Sequence, residues 1–247
     1  MYNRVTTKEN TTHAQGGITM KKNLTELVFI LDESGSMSDL IDDTIGGFNS
    51  LIRKQKNEDG EALVSTVFFS NDSKVVHDRV TIDCVPELTS DDYVPSGCTA
   101  LLDAVGDAVR HIANIHKYAR KEDIPERTLF VITTDGMENA SRKYSHKDVK
   151  KLIERVQEEN GWEFVFLGAN IDAAETAGSI GIREENAVNY HADDCGTNAL
   201  YEAVNCAVSN IRACQPMGTS WKKSIIADNQ RRESSPAPKR KKFSLFK

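Results

Sequence analysis

The sequence predicts an α/β fold, a doubly wound and mainly parallel sheet flanked by helices in the Rossmann-like manner, with one antiparallel edge strand. Two observations lead to this prediction. Short apolar runs alternate with stretches whose apolar residues recur at helical spacing, which is typical of parallel strands joined by crossover helices. One pair of apolar runs is separated only by Asn71-Asp72, a turn signal that indicates an antiparallel hairpin.

The predicted strands follow the apolar runs. The first, over 24–31 (LTELVFIL), is a continuous run of the kind that is buried on both faces of a sheet. The later strands are predicted, in chain order, over 62–70, 74–82, 127–134 and 162–169, with a weak strand over 187–191. The runs over 62–70 and 74–82 form the hairpin.

The predicted helices follow apolar residues spaced three or four apart. They cover roughly 39–57, about 99–118, a stretch carried by Val149, Leu152, Ile153 and Val156, a short segment near 172–180, and a last stretch from Leu200 to Ile211. Ser145 with Asp148 resembles a capping box that begins the third of these helices, and Asn160-Gly161 would end it.

Composition divides the chain of 247 residues into three parts. Residues 1–22 predict a flexible N-terminal extension, 23–214 one folded domain, and 215–247 a basic, disordered C-terminal tail that includes Trp221. The net charge is −6, but residues 231–247 hold seven Lys and Arg against one acid, which leaves −12 on 1–230. Such an acidic body argues against nucleic acid as a partner of the main domain, and the sequence names no partner for the basic tail.

The sequence favours a cytoplasmic protein. No apolar run approaches the roughly 18 residues that span a bilayer, and residues 1–19 lack the apolar segment of a signal peptide. The five cysteines form no CxxC pair and no zinc-ligand spacing, which is typical of reduced thiols. They are Cys84, Cys98, Cys195, Cys206 and Cys214.

Small polar side chains collect where three predicted elements meet one edge of the sheet. Asp32, Ser34 and Ser36 follow the first strand, Thr99 opens the long helix after a glycine-bearing loop, and Asp135 follows the strand over 127–134. Ligands of open α/β sheets bind at the carboxyl ends of the strands, so we expect these five residues to converge. Their carboxylate and hydroxyl oxygens suit Mg²⁺ or Mn²⁺, and not zinc or copper.

This combination resembles the von Willebrand factor A (VWA) domain, and more closely its small intracellular bacterial type. Asp-x-Ser-x-Ser after an apolar strand, Gly-x-Thr opening a helix and Asp-Gly after a later strand resemble the family's metal-ion-dependent adhesion site (MIDAS). The resemblance covers about residues 24–212. It implies a metal site made of Asp32, Ser34, Ser36, Thr99 and Asp135, in which hydroxyls contact the metal directly and one or both aspartates act through water.

The sequence departs from the family pattern in two ways. Cys98 stands at a position that is often glycine in the family. Acidic residues also crowd the loops of the predicted site, where they would raise the affinity for metal or repel an acidic ligand. These residues are Glu33, Asp39, Asp42, Asp43 and Glu138.

The oxygen-rich site with an open position and the absence of an acid–base pair predict a metal-dependent protein-binding module without catalytic activity. The resemblance implies that an Asp or Glu of a protein partner completes the metal coordination. One alternative is a regulatory subunit of an ATP-driven complex. The chain has no Walker-type phosphate loop, so nucleotide would bind elsewhere in such a complex. A metal-dependent phosphohydrolase of the haloacid dehalogenase type fits less well, because Ser34 stands where those enzymes need a second carboxylate. The remaining alternative is structural: Ser34 and Ser36 cap a helix, and Asp135 begins a turn.

Overall fold

A computed structural model describes residues 21–234, and they contain a six-stranded sheet in the order β3-β2-β1-β4-β5-β6. The strands are β1 (Lys21–Asp32), β2 (Glu61–Phe69), β3 (Ser73–Thr81), β4 (Pro125–Thr134), β5 (Glu163–Gly168) and β6 (Ala187–Asn189). Neighbouring strands are parallel except β2 and β3, which pair antiparallel at one edge. The predicted sheet architecture is therefore confirmed.

Six α-helices connect and cover the strands in the described part of the chain. They are α1 (Ile41–Gln55), α2 (Leu101–Tyr118), α3 (His146–Asn160), α4 (Ala173–Ser179), α5 (Asp194–Arg212) and α6 (Lys223–Ser234). A 3-10 helix over Gly35–Leu40 precedes α1. The capping box of Ser145 and Asp148 is present, and Gly161 ends α3 in the left-handed conformation with φ of 66°. Over residues 21–234, no helix combines the length and the apolarity that a membrane crossing requires.

The sheet is buried on both faces because successive side chains of a strand point in opposite directions. In β1, Leu27 and Phe29 belong to the core that includes α1 and α5, whereas Val28 and Ile30 belong to the core that includes α2 and α3. Parallel strands covered in this way are apolar throughout, which explains why β1 and β4 were recognisable as continuous runs.

A charged cluster that the sequence analysis did not anticipate ties β1 to its surroundings. Glu26 of β1 is fully buried, and its carboxylate accepts a hydrogen bond of 2.6 Å from Nε of Arg79 on β3. Its second oxygen pairs with Nε2 of His116 on α2. A buried carboxylate is tolerated only when it is paired and hydrogen-bonded, so this cluster fixes α2 and the edge strand relative to β1.

The predicted end of the domain at residue 214 is wrong. Helix α6 packs beyond it, and Trp221 and Ile225 are buried in the same core as α1 and α5. The segment contains few apolar residues, so its contribution to the core could not be recognised from apolar periodicity. The predicted disordered tail over 215–247 is thus wrong for residues 215–234. Residues 235–247 lie outside the described part of the chain, as do residues 1–20 of the predicted N-terminal extension, while Lys21 already belongs to β1.

Candidate metal centre

The first and third predicted loops meet because β1 and β4 are adjacent and parallel. Leu31 pairs with Thr133, so Asp32 and Asp135 leave the same edge of the sheet side by side. The hydroxyl of Ser36 donates a hydrogen bond of 2.6 Å to Oδ1 of Asp135, and the hydroxyls of Ser34 and Ser36 are 3.1 Å apart. The predicted contact between these two loops is present.

The second loop is attached to the first through its backbone. The amide of Gly35 donates to the carbonyl of Gly97 at 3.2 Å, and the amide of Ser96 donates to the carbonyl of Glu33 at 2.8 Å. Thr99 is buried, and its hydroxyl oxygen would lie 3.6 Å from a β-carbon placed on Gly136. The structure therefore brings all five predicted residues to one corner of the sheet edge.

The second loop needs a glycine at position 97. Gly97 has φ of +76°, and a β-carbon there would lie 2.6 Å from Nδ2 of Asn71. The same asparagine accepts a hydrogen bond of 2.9 Å from the amide of Cys98, which orients the loop just before Thr99. Cys98, which stands where the family often has glycine, is exposed.

Asp32 is buried and tightly held. Oδ1 accepts a hydrogen bond of 2.8 Å from the amide of Ser34, and Oδ2 accepts one of 2.6 Å from the hydroxyl of Thr134. Burial raises the pKa of Asp32 above its ordinary value and the charge of Asp135 adds to this, while the bonds from Ser34 and Thr134 oppose it. Two carboxylates in so small a buried space repel each other as anions, and a cation between them would offset that repulsion.

Capping does not explain the first loop. Ser34 occupies the N-cap position of the 3-10 helix, but its side chain makes no capping hydrogen bond, and its hydroxyl faces Ser36 instead. The structural alternative is therefore wrong for Ser34.

Two of the acids expected to crowd the site support its loops instead. The Glu33 carboxylate accepts a hydrogen bond of 2.7 Å from the amide of Val94. The Glu138 carboxylate accepts hydrogen bonds from the amides of Leu102, Ala140 and Ser141 at 2.8–2.9 Å. These carboxylates therefore fix the second and third loops.

Sequence analysis missed two residues that support the site. Thr134 holds Asp32, and its position just before Asp135 at the end of an apolar strand is a signal that could have identified it. Asn139 holds both backbone groups of Thr99: its side-chain oxygen accepts from the Thr99 amide at 2.9 Å, and its own amide donates to the Thr99 carbonyl at 3.0 Å. No motif marks Asn139 in the sequence.

The five side chains form an oxygen-rich set with one accessible side. Ser36 is exposed, whereas Asp32, Ser34, Thr99 and Asp135 are buried. Within residues 21–234, no group of three or more His, Cys, Asp or Glu side chains could hold a metal ion. The candidate centre differs from such groups because three of its five donors are hydroxyls, and this chemistry fits a hard cation such as Mg²⁺ or Mn²⁺.

Solved structures share this fold. A von Willebrand factor type A protein from Catenulispora acidiphila matches with a TM-score of 0.52 and 13% identity, over 75% of this chain and 43% of that one. Proximal thread matrix protein 1 from the mussel byssus, in a structure with a zinc-occupied MIDAS motif, matches with a TM-score of 0.50 and 16% identity, over 73% of this chain and 44% of that one. The match thus spans less than half of the length of either structure.

Sequence comparison adds no closer relationship. No protein-family model matches the sequence, and no curated protein matches it. The structural similarities show the fold, that of the VWA domain, which the loops had suggested.

Proposed function

We propose that this chain, which has the fold of VWA domains, is a divalent-metal-dependent protein-binding module. Asp32, Ser34, Ser36, Thr99 and Asp135 would hold Mg²⁺ or Mn²⁺, and a carboxylate of a protein partner would complete the coordination. The single observation that carries this proposal is the contact between Ser36 and Asp135, residues 99 positions apart, at 2.6 Å. This contact joins the donors of the first loop to the donor of the third loop at the accessible side of the site.

The donor set suits binding of an anionic partner. When bound, a divalent cation would supply positive charge that attracts a carboxylate. Because three of the five side chains are neutral hydroxyls, the protein would leave the cation able to accept a further anionic ligand. The exposed side at Ser36 is the direction from which a partner could approach.

We also propose that the site binds without catalysing a reaction. Both carboxylate oxygens of Asp32 accept hydrogen bonds, from Ser34 and Thr134, which reduces the nucleophilicity of this carboxylate. The side chain two residues later is the Ser34 hydroxyl, which cannot serve as a general acid at neutral pH. Both features argue against the phosphohydrolase alternative.

A reducing compartment such as the cytoplasm fits the thiols. All five cysteines are free, and four of them are exposed. Exposed thiols persist unpaired where cellular reductants keep them reduced.

The first test is calorimetric titration of the full chain with Mg²⁺ and with Mn²⁺. We expect one site in the wild type, and at least tenfold weaker binding in Asp32→Ala and Ser34→Ala. Ser38→Ala is the matched control, because Ser38 lies in the same turn and its hydroxyl, among residues 21–234, bonds only the Gly35 carbonyl. Equal metal affinity in all four proteins would refute the site.

The second test concerns the partner. Proteins retained by the immobilised wild type with Mg²⁺ present should be released by chelator, and Ser34→Ala should not retain them. Retention that is insensitive to both chelator and substitution would contradict metal-dependent binding even if the metal site itself is confirmed.

A further inference from the structure

A groove runs along the carboxyl edge of the sheet from the end of α6 towards the candidate metal centre. Its first part is a cavity of about 840 Å³ between α6, which contributes Arg232 and Glu233, and the loops after β5 and β6. Its second part, about 330 Å³, lies between α4 and the loop after β4, where Met137 lines it. Ile171 and Asp172 line both parts, so the two parts adjoin. We call this the edge groove.

The edge groove adjoins the metal centre. Asn170 lines its first part, and the Asn170 side-chain amide donates a hydrogen bond of 3.3 Å to the carbonyl of Asp135. Anything that occupies the groove would therefore lie next to the third metal loop.

The edge groove is acidic. Four carboxylates line it: Glu138, Asp172, Glu175 and Glu233. Arg232 also lines it, but its guanidinium is already bonded to both oxygens of Asp193, at 2.6 and 2.7 Å, and to Asp228 at 2.6 Å. Within the described part of the chain, the carboxylates of Glu175 and Glu233 have no hydrogen-bond or ion-pair partner. The groove therefore offers negative charge that its own cation does not neutralise.

The second part of the groove is also apolar. Met137 is 74% exposed, and Ile171 is half-buried beside it. These two side chains give this part of the groove an apolar wall. An occupant that fits both the acidic lining and the apolar wall carries cations next to large apolar side chains.

The chain contains such a segment directly after the groove. Residues 235–247 lie outside the described part of the chain, and they follow Ser234, the neighbour of the groove residue Glu233. A Ser-Pro-Ala-Pro stretch leads to Lys239-Arg240-Lys241-Lys242 and then to Phe243, Leu245 and Phe246, with no Asp or Glu. Charge and apolar character thus match the groove.

We propose that residues 235–247 occupy the edge groove of their own chain, with the cations of 239–242 near Asp172 and Glu175 and the apolar residues of 243–246 near Met137. The spacer starts at the groove, because Glu233 and Asp172 line the same cavity, and its four residues reach about 13 Å when extended. The segment has no acidic side chain to offer the metal, so it would obstruct a protein partner and leave the affinity for metal unchanged.

The direct test is zero-length carbodiimide coupling of lysines to carboxylates in the full chain, followed by peptide mapping of the monomer. We expect Lys239, Lys241 or Lys242 to couple mainly to Glu175, and the product to fall at least fivefold in 0.5 M NaCl, since surface ion pairs are screened by salt. Glu175→Gln should abolish the Glu175 product. Glu159→Gln, which changes an exposed acid on α3, is the matched control and should leave it unchanged.

A second readout does not depend on cross-linking. Met137 should be oxidised by hydrogen peroxide at least threefold faster in the full chain carrying Lys239→Gln, Arg240→Gln, Lys241→Gln and Lys242→Gln than in the wild type, with buried Met217 as the internal reference. Coupling spread evenly over acids of the whole body, coupling only between chains, or equal oxidation of Met137 in both proteins would overturn the proposal. Neither readout requires metal, so failure here leaves the proposed function standing.

Discussion

The hydroxyl of Ser36 lies 2.6 Å from Oδ1 of Asp135, although 99 residues separate them in the chain. This contact exists because β1 and β4 are adjacent parallel strands whose carboxyl ends meet at one edge. The candidate centre therefore depends on the strand order, which places Asp32 and Asp135 side by side. We expect the metal affinity of these two carboxylates to depend on the residues that contact them.

Replacing Thr134 should weaken metal binding without touching a predicted ligand. Thr134→Val removes the hydroxyl that donates to Asp32 Oδ2 but keeps the side-chain shape. We expect a loss of about tenfold or more in Mg²⁺ affinity, since residues that orient metal ligands commonly contribute that much. The free energy of unfolding without metal should fall by about 1–3 kcal/mol, because a buried acceptor loses its donor.

Thr133→Val is the matched control for Thr134. Thr133 is also buried at the end of β4, but its hydroxyl has no hydrogen-bond partner among residues 21–234. Calorimetry and urea unfolding should therefore show a loss of Mg²⁺ affinity and of unfolding free energy in Thr134→Val that Thr133→Val does not share. Similar losses in the two variants would show that Thr134 acts only through packing.

Asp135→Asn should separate the metal's contribution from that of the fold. Without metal, the variant should be at least as stable as the wild type, because the charge of Asp135 disfavours the ionised form of Asp32. With Mg²⁺ at 100 times the dissociation constant, the wild type should gain about 2.7 kcal/mol in free energy of unfolding and the variant almost none. Asp39→Asn, which changes an exposed acid near the first loop, should show the same Mg²⁺-dependent gain in free energy of unfolding as the wild type. A Mg²⁺ gain in Asp135→Asn equal to that of the wild type would exclude Asp135 as a ligand.

The parts of the fold that could be predicted from sequence are those with a local signal. Asp32 ends the apolar run of β1, and Asp135 directly follows that of β4, so both residues carry a local signal. Only the order of the strands, which brings the two residues together, had to come from the fold class. The support of Thr99 by Asn139 and the pairing of Glu26 with His116 join residues 40 and 90 positions apart. Such pairs depend on tertiary packing, and no periodicity or motif marks them. Helix α6 was missed because one of its two buried side chains, Asp228, is charged and breaks the apolar pattern. Arg231 and Arg232 pair with Asp228 once the helix has formed.

The buried Glu26 should be among the most sensitive positions outside the metal centre. Glu26→Ala leaves His116 without its carboxylate in a buried position and leaves Arg79 without its partner. We expect the free energy of unfolding to fall by about 3–5 kcal/mol, measured by urea unfolding. The triple variant Glu26→Leu, Arg79→Leu, His116→Leu should recover much of this loss, since apolar side chains can replace a buried ion cluster. A loss below about 1 kcal/mol in Glu26→Ala would show that water enters the cluster.

The docking of α6 should weaken in acid. Hydrogen bonds from Arg232 hold the pKa of Asp193 at about 2, below the value of about 3.9 in unfolded chains. A carboxyl with a depressed pKa stabilises the fold above its unfolded pKa, and this contribution disappears as the pH falls from about 4 to about 2. Hydrogen exchange of the α6 amides should therefore accelerate relative to α3 across that range. In Asp193→Asn the acceleration should be smaller, because only Asp228, whose pKa is also lowered, still titrates against Arg232. An identical pH profile in Asp193→Asn and the wild type would show that this ion pair does not hold α6.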